Sequence, residues 1–362
     1  MSEIYYKRAV CFCEKKIKKP FSCDLFQIIP LINYIDSDIP TNHFPFILEY
    51  KIDKSNVIYY SYEDVFESFE KNTKNFLSEL SHETNSVNYI LKLLTVVSNF
   101  NFFTYDINEH AWFINLNAKA EEEEISCIYG AKMYFDANLK DKMFITGFTK
   151  IDGEEIEPQK HSDYYTAPDL DNERNNELTF SEFTKKFFEY IPELDELQKK
   201  YFDSALTLIN NGSRIRNTMK SLSFLAFISS IEAMTTLEGK INKVTIDFEC
   251  NSCQTIKTST YICKKCGRPI WGISQQIKLY LEKYLSSAEK FKTIINKLYS
   301  RRSQIAHAGG LFTSDEFFDW DNPKTRQQHN LELIAAMQYS KMSLVNYVLN
   351  NINEKRKSLY RK

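Results

Sequence analysis

Short runs rich in β-branched and aromatic residues open the chain. Residues 4–13, 46–52 and 57–62 each read as a strand, and a polar stretch, IDSDIPTNHFP, separates the first from the other two. From Tyr62 the period changes. Val65, Phe66, Phe69, Phe76, Leu77 and Leu80 recur at helical spacing, and a second helical stretch covers 87–100. Strand-like runs return over 112–116, 125–135 and 143–148, with the acidic block 121–124 read as a solvated loop between the first two. This alternation predicts an α+β domain over residues 1–175.

A polar, proline-punctuated segment, EEIEPQKHSDYYTAPDLDNERNNE, carries the expected domain boundary. Beyond it the pattern is helical almost to the end. Residues 179–190 predict a helix stopped by Pro192, and 195–210 predict one that ends at Asn211-Gly212. Residues 216–237 carry Leu222, Leu225, Phe227, Ile228, Ile231 and Met234, so they are expected as a buried central helix. Stretches 274–285, 288–308 and 331–352 complete an all-α bundle over residues 176–362. No repeat with a period of about 20 to 50 residues is visible.

Composition bounds the partners. The chain has 362 residues, 43% hydrophobic and 26% charged, which is globular composition for about two domains. No run approaches the roughly 18 to 20 apolar residues of a spanning helix, and MSEIYYKRAV lacks a signal-peptide layout. A cytoplasmic protein with no membrane partner is therefore expected. The formal net charge is −2, yet it is unevenly spread. Residues 1–200 hold 22 basic and 35 acidic side chains (net −13), 201–310 hold 16 and 7 (net +9), and 311–362 hold 8 and 6 (net +2). A basic segment of this kind collects polyanions, or simply forms solvated helix faces. No glycine-rich nucleotide-binding loop is present.

Eight cysteines in a reducing compartment point to metal before disulfides. Cys250-Asn-Ser-Cys253 and Cys263-Lys-Lys-Cys266-Gly267 form two Cys-x2-Cys pairs separated by nine residues. Two intervening residues let both thiolates face one ion, and glycine after the last cysteine permits the turn that aims backbone amides at the sulfur. Four thiolates close a tetrahedron and leave no position for water, so one structural Zn2+ per chain is expected in an insert at 248–270. Metal binding would order this small polar segment. Lys257, Lys264, Lys265 and Arg268 make it basic, which suits either RNA contact or packing against the helices it joins. Cys11, Cys13 and Cys23 lack a nearby fourth partner and read as strand cysteines.

The strongest chemical signal is LYSRRSQIAHAGG, residues 298–310. It predicts a helix that delivers Arg301 and Arg302, reaches His307 and stops at Gly309-Gly310. At about 100° per residue, positions 302 and 307 lie roughly 140° apart around the axis, so the two groups meet only through long side chains or across a partner. An imidazole titrates near neutral pH and a guanidinium grips phosphate in a fork, a pairing suited to metal-free cleavage of RNA. The plainer reading is an Arg302 ion pair and a His307 that caps a helix C-terminus.

The same stretch resembles the Arg-x4-6-His signature of HEPN domains. Together with the four-cysteine knuckle ahead of it and the helix FLAFISSIEAM, it looks like the ApeA-type HEPN branch of bacterial antiviral systems, over about residues 180–355. The resemblance implies an HEPN-type bundle that dimerises so that two Arg/His sets share one cleft, and metal-independent RNA cleavage that leaves a 2′,3′-cyclic phosphate. Carried over, Arg302 would hold the scissile phosphate and His307 would move protons. Arg301 is a second candidate for the phosphate, and Ser303 stands where Asn or Asp is common. Glu232 resembles an acidic position of that branch and either orients Arg302 or faces solvent.

The function expected is an endoribonuclease effector of abortive infection acting on RNA, tRNA included. The acidic first half would restrain it or sense a phage-derived or cellular trigger. The rival reading is a silent scaffold that binds RNA or protein through the knuckle.

Overall fold

The aromatic and β-branched run IYYKRAVCFC makes the first strand, β1 (Ile4–Cys13), whose last three residues are buried. In the computed structural model, residues 4–30, 44–57, 71–104, 144–151, 156–157, 177–241, 253–254, 273–315 and 322–359 are described. The expected strands over 112–116 and 125–135, the 121–124 loop and most of the 57–62 run lie outside them. The chain divides into two units, Met1–Glu189 and Tyr190–Lys362.

The first unit is built on a small, largely antiparallel sheet. β1 pairs along its whole length with β4 (Phe44–Asp53), from Ile4 opposite Asp53 to Cys13 opposite Phe44. β2 (Phe21–Ser22) and β3 (Phe26–Pro30) extend the sheet beyond β4, while β5 (Phe102–Phe103) and β6 (Phe144–Ile145) both pair with β1. The helix α1 (Lys71–Val96) is continuous through the polar stretch that separates the two helical periods in the sequence. It buries Val87, Ile90, Leu91 and Leu94. A short parallel pair joins β7 (Ile156–Glu157) to β8 (Phe180–Ser181). The helix α2 (Glu182–Tyr190) then carries Phe188 to 4.8 Å from Phe26, edge to face. The helix that pattern alone assigns to the bundle thus contributes to the sheet's core.

One charge is buried in this sheet at 0% exposure, on Glu49 of β4. Arg8 of β1 donates to its Oε1 from Nε at 2.7 Å, and Thr149 donates from Oγ1 at 2.6 Å and from its backbone N–H to Oε2 at 2.9 Å. Gln27 of β3 donates to Oε2 as well. Burial alone would raise the carboxyl's pKa, but the bonds from Thr149 and Arg8 hold it below the ordinary value.

The second unit is mostly helical. The helix α3 (Glu196–Ile215) begins with a capping box: Asp195 accepts from the Gln198 N–H at 2.9 Å, and Gln198 accepts from the Asp195 N–H at 3.1 Å. It runs straight through Asn211-Gly212, where the sequence predicted a stop. A Cβ on Gly212 would lie 3.0 Å from the Phe227 ring, and Ser223 Oγ donates to the Gly212 carbonyl at 2.7 Å. The glycine serves close helix packing and not termination.

The central helix α4 (Lys220–Ile241) buries Phe224, Phe227, Ile228, Ile231, Met234 and Leu237. Leu222, expected in this core, is 53% exposed. Three more helices follow: α5 (Ile273–Tyr284), α6 (Glu289–Ala308) and α7 (Pro323–Leu359). The last begins eight residues before the expected 331, because Pro323 suits the first helical position and Asn322 accepts from the Thr325 N–H at 3.2 Å. No described helix is long and apolar enough to cross a membrane.

Candidate active site

The helix α6 buries Ile295, Leu298 and Ile305 along one stripe, which leaves Arg301 and Arg302 half-buried at its margins and Ser303 and His307 exposed. Its end is set by Gly309, with φ of 67°, whose N–H bonds the Gln304 carbonyl. The chain beyond the cap is pinned to α4. Phe312 is fully buried, stacks on His329 at 4.7 Å and lies 5.3 Å from Phe224. Its N–H donates to Ser221 Oγ at 2.8 Å. Asp315 accepts from the N–H groups of Lys220 at 3.0 Å and Ser221 at 2.6 Å, which caps the start of α4 from a distant segment.

This fastening fixes the helix that carries Glu232 relative to the helix that carries Arg302 and His307. All three side chains meet. Arg302 Nε lies 3.1 Å from Glu232 Oε1, a buried atom that the guanidinium approaches as an ion pair without an aligned hydrogen bond. Arg302 Nη2 donates to Oε2 at 3.4 Å. On its other side Arg302 Nη1 lies 3.0 Å from His307 Nε2. The angular offset read from the helical period is therefore bridged within one chain by the length of the arginine.

A guanidinium has no lone pair to offer, so a hydrogen bond across this contact requires Nε2 of His307 to be the acceptor. An unprotonated nitrogen beside a fixed cation can take a proton from a hydroxyl while the cation faces phosphate. Tyr299, which sequence reasoning did not single out, adds a wall: its ring lies 5.9 Å from the Arg302 guanidinium carbon. Desolvation and the Glu232 carboxylate raise its pKa above the ordinary phenol value, against the opposing charge of Arg302. The available signal was its i,i+3 position before Arg302.

Arg301 goes elsewhere. Its Nε donates to Glu332 of α7 at 2.9 Å and its Nη1 to Gln304 at 2.8 Å, while Gln328 donates to the second Glu332 oxygen at 3.0 Å. The second candidate for phosphate thus braces α6 to α7. Ser303 takes no part in the Arg302 contacts among the described residues.

Of the four knuckle cysteines, Cys250, Cys263 and Cys266 lie outside the described residues. Cys253 is half-buried, and Gln254 after it has φ of 55°. Among the described residues no cluster of three or more His, Cys, Asp or Glu is assembled around a metal-sized space. Cys11 and Cys13 sit buried on β1, and burial pushes the Cys23 thiol up to about 11. No family model, no curated protein and no solved structure matches the chain.

Proposed function

We propose that the helical unit is a metal-independent endoribonuclease in which Arg302 holds the scissile phosphate and His307 takes the proton of the neighbouring 2′-hydroxyl. The carrying observation is the 3.0 Å approach of Arg302 Nη1 to His307 Nε2, with Glu232 bracing the opposite edge of the same guanidinium. Once Arg302 Nη1 turns from Nε2 to the phosphate, the Nε2 lone pair takes the 2′-hydroxyl proton and frees the 2′-oxygen to attack phosphorus. The P–O5′ bond breaks, and the products are a 2′,3′-cyclic phosphate and a 5′-hydroxyl. The leaving oxygen needs a proton donor, which a homodimeric cleft would supply from a second Arg302–His307 set.

Glu232 is a positioning residue, since it meets substrate only through Arg302. The structural Zn2+ on Cys250, Cys253, Cys263 and Cys266 would order the insert between α4 and α5 and lies outside the chemistry. In a cell this activity suits an abortive-infection effector of the HEPN type, directed at RNA such as tRNA, with the acidic first unit as restraint or sensor.

The test is to express wild type, Arg302→Ala and His307→Ala forms and sequence the RNA ends that accumulate. A nuclease loses growth toxicity and cyclic-phosphate ends together in both variants, with a rate loss of about 100-fold or more. Toxicity that persists in both variants without new RNA ends assigns the protein to the scaffold reading. Activity of the folded wild type in EDTA is expected to persist.

A further inference from the structure

A cavity of about 330 Å3 opens in the first unit between the sheet and α1, remote in sequence from the Arg302 site. We infer that it is a binding site for a small aromatic molecule without net charge, of nucleoside chemistry. The volume falls at the lower end of small-molecule sites, which span roughly 300 to 1,000 Å3. One wall is the sheet, with Tyr5 and Lys7 of β1, Ile52 of β4 and Lys54 in the turn after it. The other is a face of α1 that presents Glu79, His82 and Glu83 at i, i+3 and i+4.

Charge balance selects the ligand. Lys7 pairs with Glu83, and Lys54 lies 3.5 Å from Glu79, so two cations on the sheet side meet two carboxylates on the helix side. A phosphorylated or otherwise polyanionic molecule would have to draw the lysines from their carboxylates and leave two acids beside it. A cation would do the reverse. A molecule with no net charge leaves both pairs intact.

The same pairs limit thickness. Each spans the gap from sheet to helix by direct contact, so the space between them takes a flat body and not a globular one. Tyr5 adds an aromatic surface, already partnered by Lys54 Nζ at 4.6 Å from its ring centroid, and Ile52 adds an apolar one. His82 supplies the directional element. Its ring lines the cavity between the two acids and pairs with no group among the described residues, so one nitrogen can donate and the other accept at the edge of a heterocycle.

The experiment is isothermal titration of the full chain with adenosine, guanosine, uridine and cytidine, each beside its 5′-monophosphate. At least one nucleoside is expected to saturate a single site, with its monophosphate about tenfold weaker or worse. His82→Ala should weaken that nucleoside about threefold to tenfold, the worth of one neutral hydrogen bond. Ile52→Trp, which fills the cavity, should abolish it. Because Ile52 belongs to the sheet core, the His82→Ala form with an unchanged melting temperature decides if the tryptophan variant does not fold. Absence of saturable binding by all four nucleosides overturns the proposal. So does tighter binding of a monophosphate than its nucleoside, or undiminished affinity in the folded His82→Ala form.

Discussion

Two adjacent arginines on α6 have opposite fates, and the difference is measurable. Arg302 is turned toward Glu232 and His307, whereas Arg301 is bound to Glu332 and Gln304. Arg301→Ala removes a half-buried charged hydrogen bond and should cost about 1–3 kcal/mol in denaturant unfolding. Its cleavage rate per folded molecule should stay near wild type, where Arg302→Ala loses it. Equal loss of cleavage in both would assign Arg301 a direct role.

Glu49 makes the second residue-level prediction. Its folded pKa lies below the ordinary value, so it stabilises the first unit at pH values above the usual carboxylate range of about 4.3. That contribution is lost as pH falls through the lowered folded value. Glu49→Gln leaves Arg8 buried at 9% side-chain exposure without its carboxylate. A cost of about 3–5 kcal/mol is expected, together with a flatter acid limb in the unfolding curve. An unchanged acid limb would remove Glu49 from the account.

At the scale of elements, α6 was the most legible part of the chain. Its apolar stripe, the Arg302 and His307 positions and the glycine stop are all local signals, and α6 ends at Ala308 as read. What escaped the sequence was non-local. Gly212 looks like a stop, and only its contact with the Phe227 ring on another helix explains why α3 continues. The helix α1 bridges a polar interval because one buried face suffices to hold it. The alliance of Glu232 with Arg302 joins positions seventy residues apart, which no period can announce. Gly309→Ala tests the local signal directly. A side chain at φ of 67° should cost about 1–2 kcal/mol and, by shifting the last turn, lower cleavage more than stability alone explains. Thermal unfolding beside single-turnover rates separates the two.

The whole molecule carries its charge unevenly along the sequence. The net +9 over residues 201–310 surrounds the Arg302 site in sequence, against −13 over residues 1–200. If RNA is the substrate, KM should rise steeply as salt rises from about 50 to 200 mM while kcat changes little. Flat salt dependence would sever the charge pattern from substrate capture. The split into two units is only partly legible from composition, because α2 bears the amphipathic mark of a bundle helix while Phe188 lies against Phe26 of the sheet.

One fastening has a consequence in time. The first amides of α4 take their acceptors from Asp315, ninety-five positions downstream of Lys220. A nascent chain leaving the ribosome therefore has no partner for that helix start until Asp315 has emerged, by which point Arg302 and His307 are already synthesised. The start of the helix bearing Glu232 is thus capped only after Arg302, which Glu232 contacts, and His307, which Arg302 contacts, both exist in the chain.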